Sequence, residues 1–156
     1  MSRELRLSRA VVMLSLLAPG CRASHGGRAT SGSIQISHAV IPAPVEGGEA
    51  TAFCIIANTG DGPITLVAAR SPEADSALLH DMAGGQMRHV AEVVIRAHQR
   101  LRLVPGGYHL MLEGLRRPLE VGDTVRLELT FDPGGTVPVG VPVLRYTEAL
   151  DELPTH

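Results

Sequence analysis

Two histidines and two methionines fall at spacings that suit a soft metal ion. His109 and Met111 stand two apart in "PGGYHLMLEGL", residues 105–115. In an extended chain alternate side chains share a face, so His109 and Met111 point one way and Tyr108, Leu110 and Leu112 the other. The apolar trio is the natural core face, which directs the imidazole and the thioether away from the main apolar layer. Upstream, "LLHDMAGGQMRHV" gathers His80, Met82, Met87 and His89. Between Met87 and His109 lie 21 residues, a length that the return of a sheet can close.

The chemistry these donors suit is that of Cu(I). Thioether sulfur is soft and neutral, imidazole is borderline, and Cu(I) favours both. Methionine needs no deprotonation to bind metal and cannot close into a disulfide, two advantages outside the cytoplasm. Zinc asks more often for thiolates, further imidazoles or carboxylates. Calcium asks for a concentration of carboxylates that this stretch lacks.

The elements that must position these residues read as short strands. "SIQISHAV" (33–40) alternates and stops near "IPAP". "EATAFCIIANTGDGPITLVAA" (49–69) reads as two strands around a turn rich in Asn, Asp, Gly and Pro. "SALLHDM" (76–82), "MRHVAEVVI" (87–95), "QRLRLV" (99–104) and "YHLMLEGL" follow, punctuated by "AGGQ" and "PGG". "TVRLELTF" (124–131) alternates cleanly, with Val125, Leu127, Leu129 and Phe131 on one face. "TVPVGVPVL" (136–144) closes the sheet. Eight or nine strands with no long helical period predict an all-β, two-sheet sandwich or barrel in a single domain. Residues 34–145 form that domain, and the polar tail 146–156 is expected to be loose, with at most one helical turn.

Composition narrows the function classes. A formal net charge of −2 gives no electrostatic reason to bind nucleic acid, and scarce aromatics with no Trp argue against a base-stacking platform. No nucleophile–base pair, phosphate loop, paired acid arrangement or "GxSxG" elbow argues for an enzyme. The N-terminus, "MSRELRLSR" followed by "AVVMLSLLA" and "PGC", has the layout of a secretory signal over residues 1–21. Its apolar run is too short to span a bilayer. Cys21 after a small residue can serve as the lipid-carrying first residue of a bacterial lipoprotein, although Ala18 stands where Leu is usual. Residues 22–33 read as a flexible tether. The second cysteine, Cys54, sits mid-strand and reads as a small buried hydrophobe.

At these residues a resemblance appears. "LLHDM", "GQMRHV", "LVPGGYHLMLEGLRRPLEVGDTVRLELTF" and "AFCIIANTGDGPITLVAARSPEA" resemble the periplasmic copper chaperone family PCuAC, from about Ile34 to Val143. The resemblance implies a cupredoxin-like, Greek-key β-sandwich. It implies Cu(I) held by His80, Met87, His109 and Met111, matching the family's pattern of a His, a later Met, 21 residues, then His-x-Met. It also implies delivery toward the copper centre of a respiratory oxidase, through a copper-accepting membrane oxidase subunit or another copper chaperone. The location implied is the periplasm or the outer face of a bacterial cell membrane, with membrane contact only through a lipid at Cys21. The family usually has ten residues between the first His and the Met, and here there are six, Asp81 to Gln86. That shorter loop leaves Met82 open as a substitute ligand or as packing beside the site. His89 shares a strand face with Met87, as an auxiliary donor or a solvated surface residue; the second reading is preferred. His25, His38, His98 and His156 read as surface or tail residues. Two other functions fit the same strands: an electron-transfer cupredoxin with Cys54 as thiolate, and a sandwich that binds proteins without metal.

Overall fold

The computed structural model describes residues 25–45 and 48–154. The secretory signal, Cys21 and His156 lie outside the described residues. Eleven strands and one short helix make up the domain: β1 (Gly27–Ser31), β2 (Ile34–Pro42), β3 (Glu49–Asn58), β4 (Ile64–Arg70), β5 (Ala74–Ala83), β6 (Gln86–His89), β7 (Val93–Ile95), β8 (Arg100–Leu103), β9 (His109–Leu115), β10 (Thr124–Asp132), β11 (Gly135–Leu144) and α1 (Tyr146–Glu152).

The strands form a closed ring in the order β2-β11-β10-β4-β5-β9-β3, and β3 returns to β2. β3 belongs to both walls. Its first half, Glu49 to Ala52, pairs with β9 and its second, Cys54 to Ala57, with β8. The parallel pairing of Val143 and Leu144 with Ile41 and Pro42 seals the far side. Inward residues of every wall fill one core: Ile36, Ile56, Leu110, Leu112, Val125 and Leu129 are each at most 1% exposed. The expected face of β10 is inward along its whole length, and the alternation that predicts it is a packing requirement. The all-β, cupredoxin-like sandwich expected from the sequence is therefore the fold found.

Three expectations need correction. Among the described residues the strands number eleven, not eight or nine. One added strand, β1, lies inside residues 22–33, the expected tether; its "GRATS" is polar and shows no alternation, so only pairing with β2 gives it a strand conformation. Gly27 sits there because a β-carbon would collide with the carbonyl oxygen of Gly140. The second correction concerns 87–95, which is two strands; the chain changes partner from β5 to β4 between them. The expected turn between two strands is found at 59–63, and β3 and β4 pair with other strands instead of with each other. Buried Asn58 ends β3 and donates to the carbonyls of Gly62 and Ile95 while accepting from Gly60 N–H, so it pins the crossover. The third correction is that the tail is ordered through α1. Glu148 accepts from the Arg145 N–H and guanidinium at the helix start, and Ala149 and Leu153 cover Val40 and Phe53. Phe53 points outward from β3, so without α1 a large aromatic would face water.

Candidate metal centre

Three strands bring the predicted donors together on the outer face of one wall. His80 on β5 pairs directly with His109 on β9, and Leu78 pairs with Met111. Cross-strand partners project to the same side, so His80, Leu78, His109 and Met111 share a surface, back to back with buried Leu79, Leu110 and Leu112. The β5–β6 hairpin turns through Gly84 and Gly85, both at positive φ, a conformation that favours glycine. This tight turn sets Met82 opposite Met87 and His80 opposite His89. The loop with six residues in place of ten thus folds as a plain hairpin, and it still carries Met87 to His109.

That meeting is the most informative contact in the site. Met87 Sδ lies 3.4 Å from His109 Nε2. The other ring nitrogen, Nδ1, lies 2.9 Å from the Gly107 carbonyl oxygen. A carbonyl only accepts, so Nδ1 carries the proton. In the neutral ring Nε2 then has a lone pair facing the sulfur, with no proton between them. Two Lewis bases in this arrangement gain nothing from each other but can share a cation. Nitrogen and sulfur bound tetrahedrally to one metal, at bond lengths of about 2.0 and 2.3 Å, stand roughly 3.5 Å apart. The Gly107 contact plays the part that outer partners play at metal sites, fixing tautomer and ring orientation. Neither Gly107 nor its carbonyl was singled out from the sequence, although the "PGG" turn before His109 holds it.

His80 supplies a second unsatisfied group. It is 8% exposed, and its Nδ1 is buried with no hydrogen-bond partner. Its ring centroid stands 5.8 Å from that of His109. Burial, and after it the neighbouring His109 and His89, holds its pKa below the ordinary 6.5, against a smaller upward pull from Glu113. At neutral pH this ring is an uncharged donor. Met111 lies on the same face, its sulfur 3.9 Å from the Thr51 hydroxyl, which donates weakly to it. Thr51 reaches the site only through the β3–β9 register, for which the sequence holds no local signal. Met87 is 51% exposed and forms the solvent-side cover of His109, itself 7% exposed.

Other donor sets are poorer. Among the described residues no three His, Cys, Asp or Glu side chains converge as a metal site, so a shell of three or more protein donors here draws on the thioethers. Cys54 points into the core and its thiol is pushed up to about 12 by burial. It stands behind the sheet, on the side away from His80 and His109. Among the described residues no thiolate of the kind a blue-copper centre requires lies on this face.

Comparison with known proteins agrees with this architecture. Residues 34–143 match the family described as "Putative lipoprotein LpqE-like". The chain belongs to that family. A relative of this LpqE-like chain, "Putative lipoprotein Lxx21020" from Leifsonia xyli subsp. xyli, is 36% identical over 162 residues, 96% of each protein. Among solved structures, the copper-bound PCuAC domain from PmoF2 superposes with a TM-score of 0.68 at 25% identity, over 76% of this chain and 97% of that one. The Cu(I) form of DR1885 from Deinococcus radiodurans superposes with a TM-score of 0.60 at 34% identity, over 69% of this chain and 76% of that one. The LpqE-like domain has the PCuAC fold that the sequence resemblance implies. Among its described residues no helix is long and apolar enough to cross a membrane.

Proposed function

We propose that this protein is a copper carrier that holds Cu(I) through His80, Met87, His109 and Met111. The observation that carries the reading is the Met87 sulfur 3.4 Å from a His109 nitrogen whose lone pair is free. The orphaned Nδ1 of His80 supports it, as does the likeness to domains solved with copper bound. Two imidazoles and two thioethers make a neutral set that suits Cu(I) and suits zinc poorly. The role is carriage without catalysis. His80 and His109 are set in the sheet and hold the ion, while half-exposed Met87 is the ligand an incoming donor can displace first. The acceptor is a copper-requiring partner: a copper-accepting subunit of a membrane oxidase, in respiratory oxidase assembly, or another copper chaperone. Export to the periplasm or the outer face of the membrane, with Cys21 as lipid anchor, fits the lipoprotein family and the N-terminal sequence.

Titration of the purified protein with Cu(I) against a competing chelator tests the proposal. One tight equivalent is expected, strongly weakened by Met111→Ala. X-ray absorption of the loaded protein should count two sulfur and two nitrogen neighbours. Failure to compete above background, or an all-nitrogen shell, ends this reading.

A further inference from the structure

The hairpin register makes His89, and not Met87, the direct cross-strand partner of His80. The His80 and His89 rings meet edge to face with centroids 5.9 Å apart. Other described histidines have hydrogen-bonding neighbours: His25 and His38 at Glu152, His98 at Asp61, His109 at Gly107. Among the described residues neither the His80 nor the His89 ring makes such a contact, and His80 Nδ1 is buried and orphaned. The two histidines without hydrogen-bonded partners are therefore adjacent to each other. His89 is exposed to solvent and His80 is not.

We propose that His80 and His89 form a second, outer copper position that takes Cu(II). This rests on the Cu(I) reading of the inner position and extends it. Two imidazoles bound to one ion at about 2 Å place their ring centroids roughly 4.5–6.3 Å apart, depending on the angle between them. The separations His80–His89 and His80–His109, 5.9 and 5.8 Å, both fall inside that range. The three rings stand in file and do not surround one point, in keeping with the absence of a three-imidazole site. His80 thus serves one neighbour or the other. Toward His109 the ion meets thioethers, which favour Cu(I). Toward His89 it meets a second imidazole and water, which favour the tetragonal N,O environment of Cu(II). The oxidation state of the cargo selects the position.

The test is titration of the purified protein with Cu(II), read by electron paramagnetic resonance, beside the Cu(I) competition assay. Wild type is expected to bind one Cu(II) with two coupled nitrogens. His89→Gln should weaken Cu(II) binding at least tenfold and remove one nitrogen, with Cu(I) affinity within about threefold of wild type. His109→Gln should do the reverse. Cu(II) binding unchanged in His89→Gln, or lost only in His109→Gln, overturns the outer position. Cu(II) that persists in a His80→Gln/His89→Gln double variant also overturns it, by assigning the ion to other surface histidines. Loss of Cu(I) binding in the wild type would overturn the inner site, an outcome the Cu(II) signal reports separately.

Discussion

Among the described residues, two groups of histidines stand in different surroundings. At the C-terminal helix, His25 and His38 gather around Glu152. The His25 ring stands 3.4 Å from the Glu152 carboxylate, and its backbone N–H donates to the same oxygen at 2.6 Å. The His38 Nδ1–H donates to the Glu152 carbonyl at 2.8 Å. His38 also adopts positive φ at the bulge between Ser37 and Val40, where the β2–β3 register shifts. These rings have oxygen partners and tie the segment around β1 and β2 to α1. On the opposite group, His80 has an orphaned nitrogen and His109 faces a sulfur. His109 has an oxygen partner too, the Gly107 carbonyl on Nδ1, but its second nitrogen is turned toward another lone pair and is poised for a cation. Residue type is the same in both groups, and the partner makes the difference.

The largest expected contrast is in metal affinity. His109→Ala should lower Cu(I) affinity by about 100-fold or more, since disturbing even the outer partners of metal ligands costs 10–100-fold. His38→Asn should leave it unchanged in the same chelator competition. An equal loss in both variants would erase the distinction between the groups.

Stability should show the opposite ranking. Leu153→Ala uncovers Val40 and Phe53 and should destabilise the fold by about 2–3 kcal/mol in urea unfolding, with copper affinity intact. His38→Asn tolerates the positive φ but gives up the bond to Glu152, at an expected loss of about 1 kcal/mol. A Leu153→Ala protein as stable as wild type would mean that α1 does not anchor this end.

The smallest effect is a pH dependence of the metal-free protein. His80 has a folded pKa below 6.5, through burial first and then His109 and His89. As pH falls, the unfolded chain takes up this proton before the folded one. Stability should therefore be full above 6.5, decline as pH drops from there toward the lowered folded value, and level off below it. His80→Gln should flatten that slope in urea melts at pH 7.5 and 5.5. A slope identical to wild type would show that the His80 ring is not the group that responds to acid.

Much of the site was legible because a strand imposes a period of two. The alternation in "YHLML" separates His109 and Met111 from Leu110 and Leu112, and the structure keeps that division. The tail was misread because "YTEALDE" holds few apolar residues. Its signal lay elsewhere, in the unbroken apolar run "AFCII" from Ala52 to Ile56, which the structure covers on both faces of β3. Strand β1 had no signal of its own, since its stability comes from backbone pairing with β2.

The sequence by itself determined the all-β class, the core face of each alternating strand and the donor types on offer, because these follow from local periodicity and side-chain chemistry. Only the tertiary structure decided that His80 stands between His89 and His109, that Gly107 fixes the His109 proton, and that Met87 sulfur meets the free nitrogen. Those facts depend on register between strands distant in the chain, and register is set by the packing of the whole core.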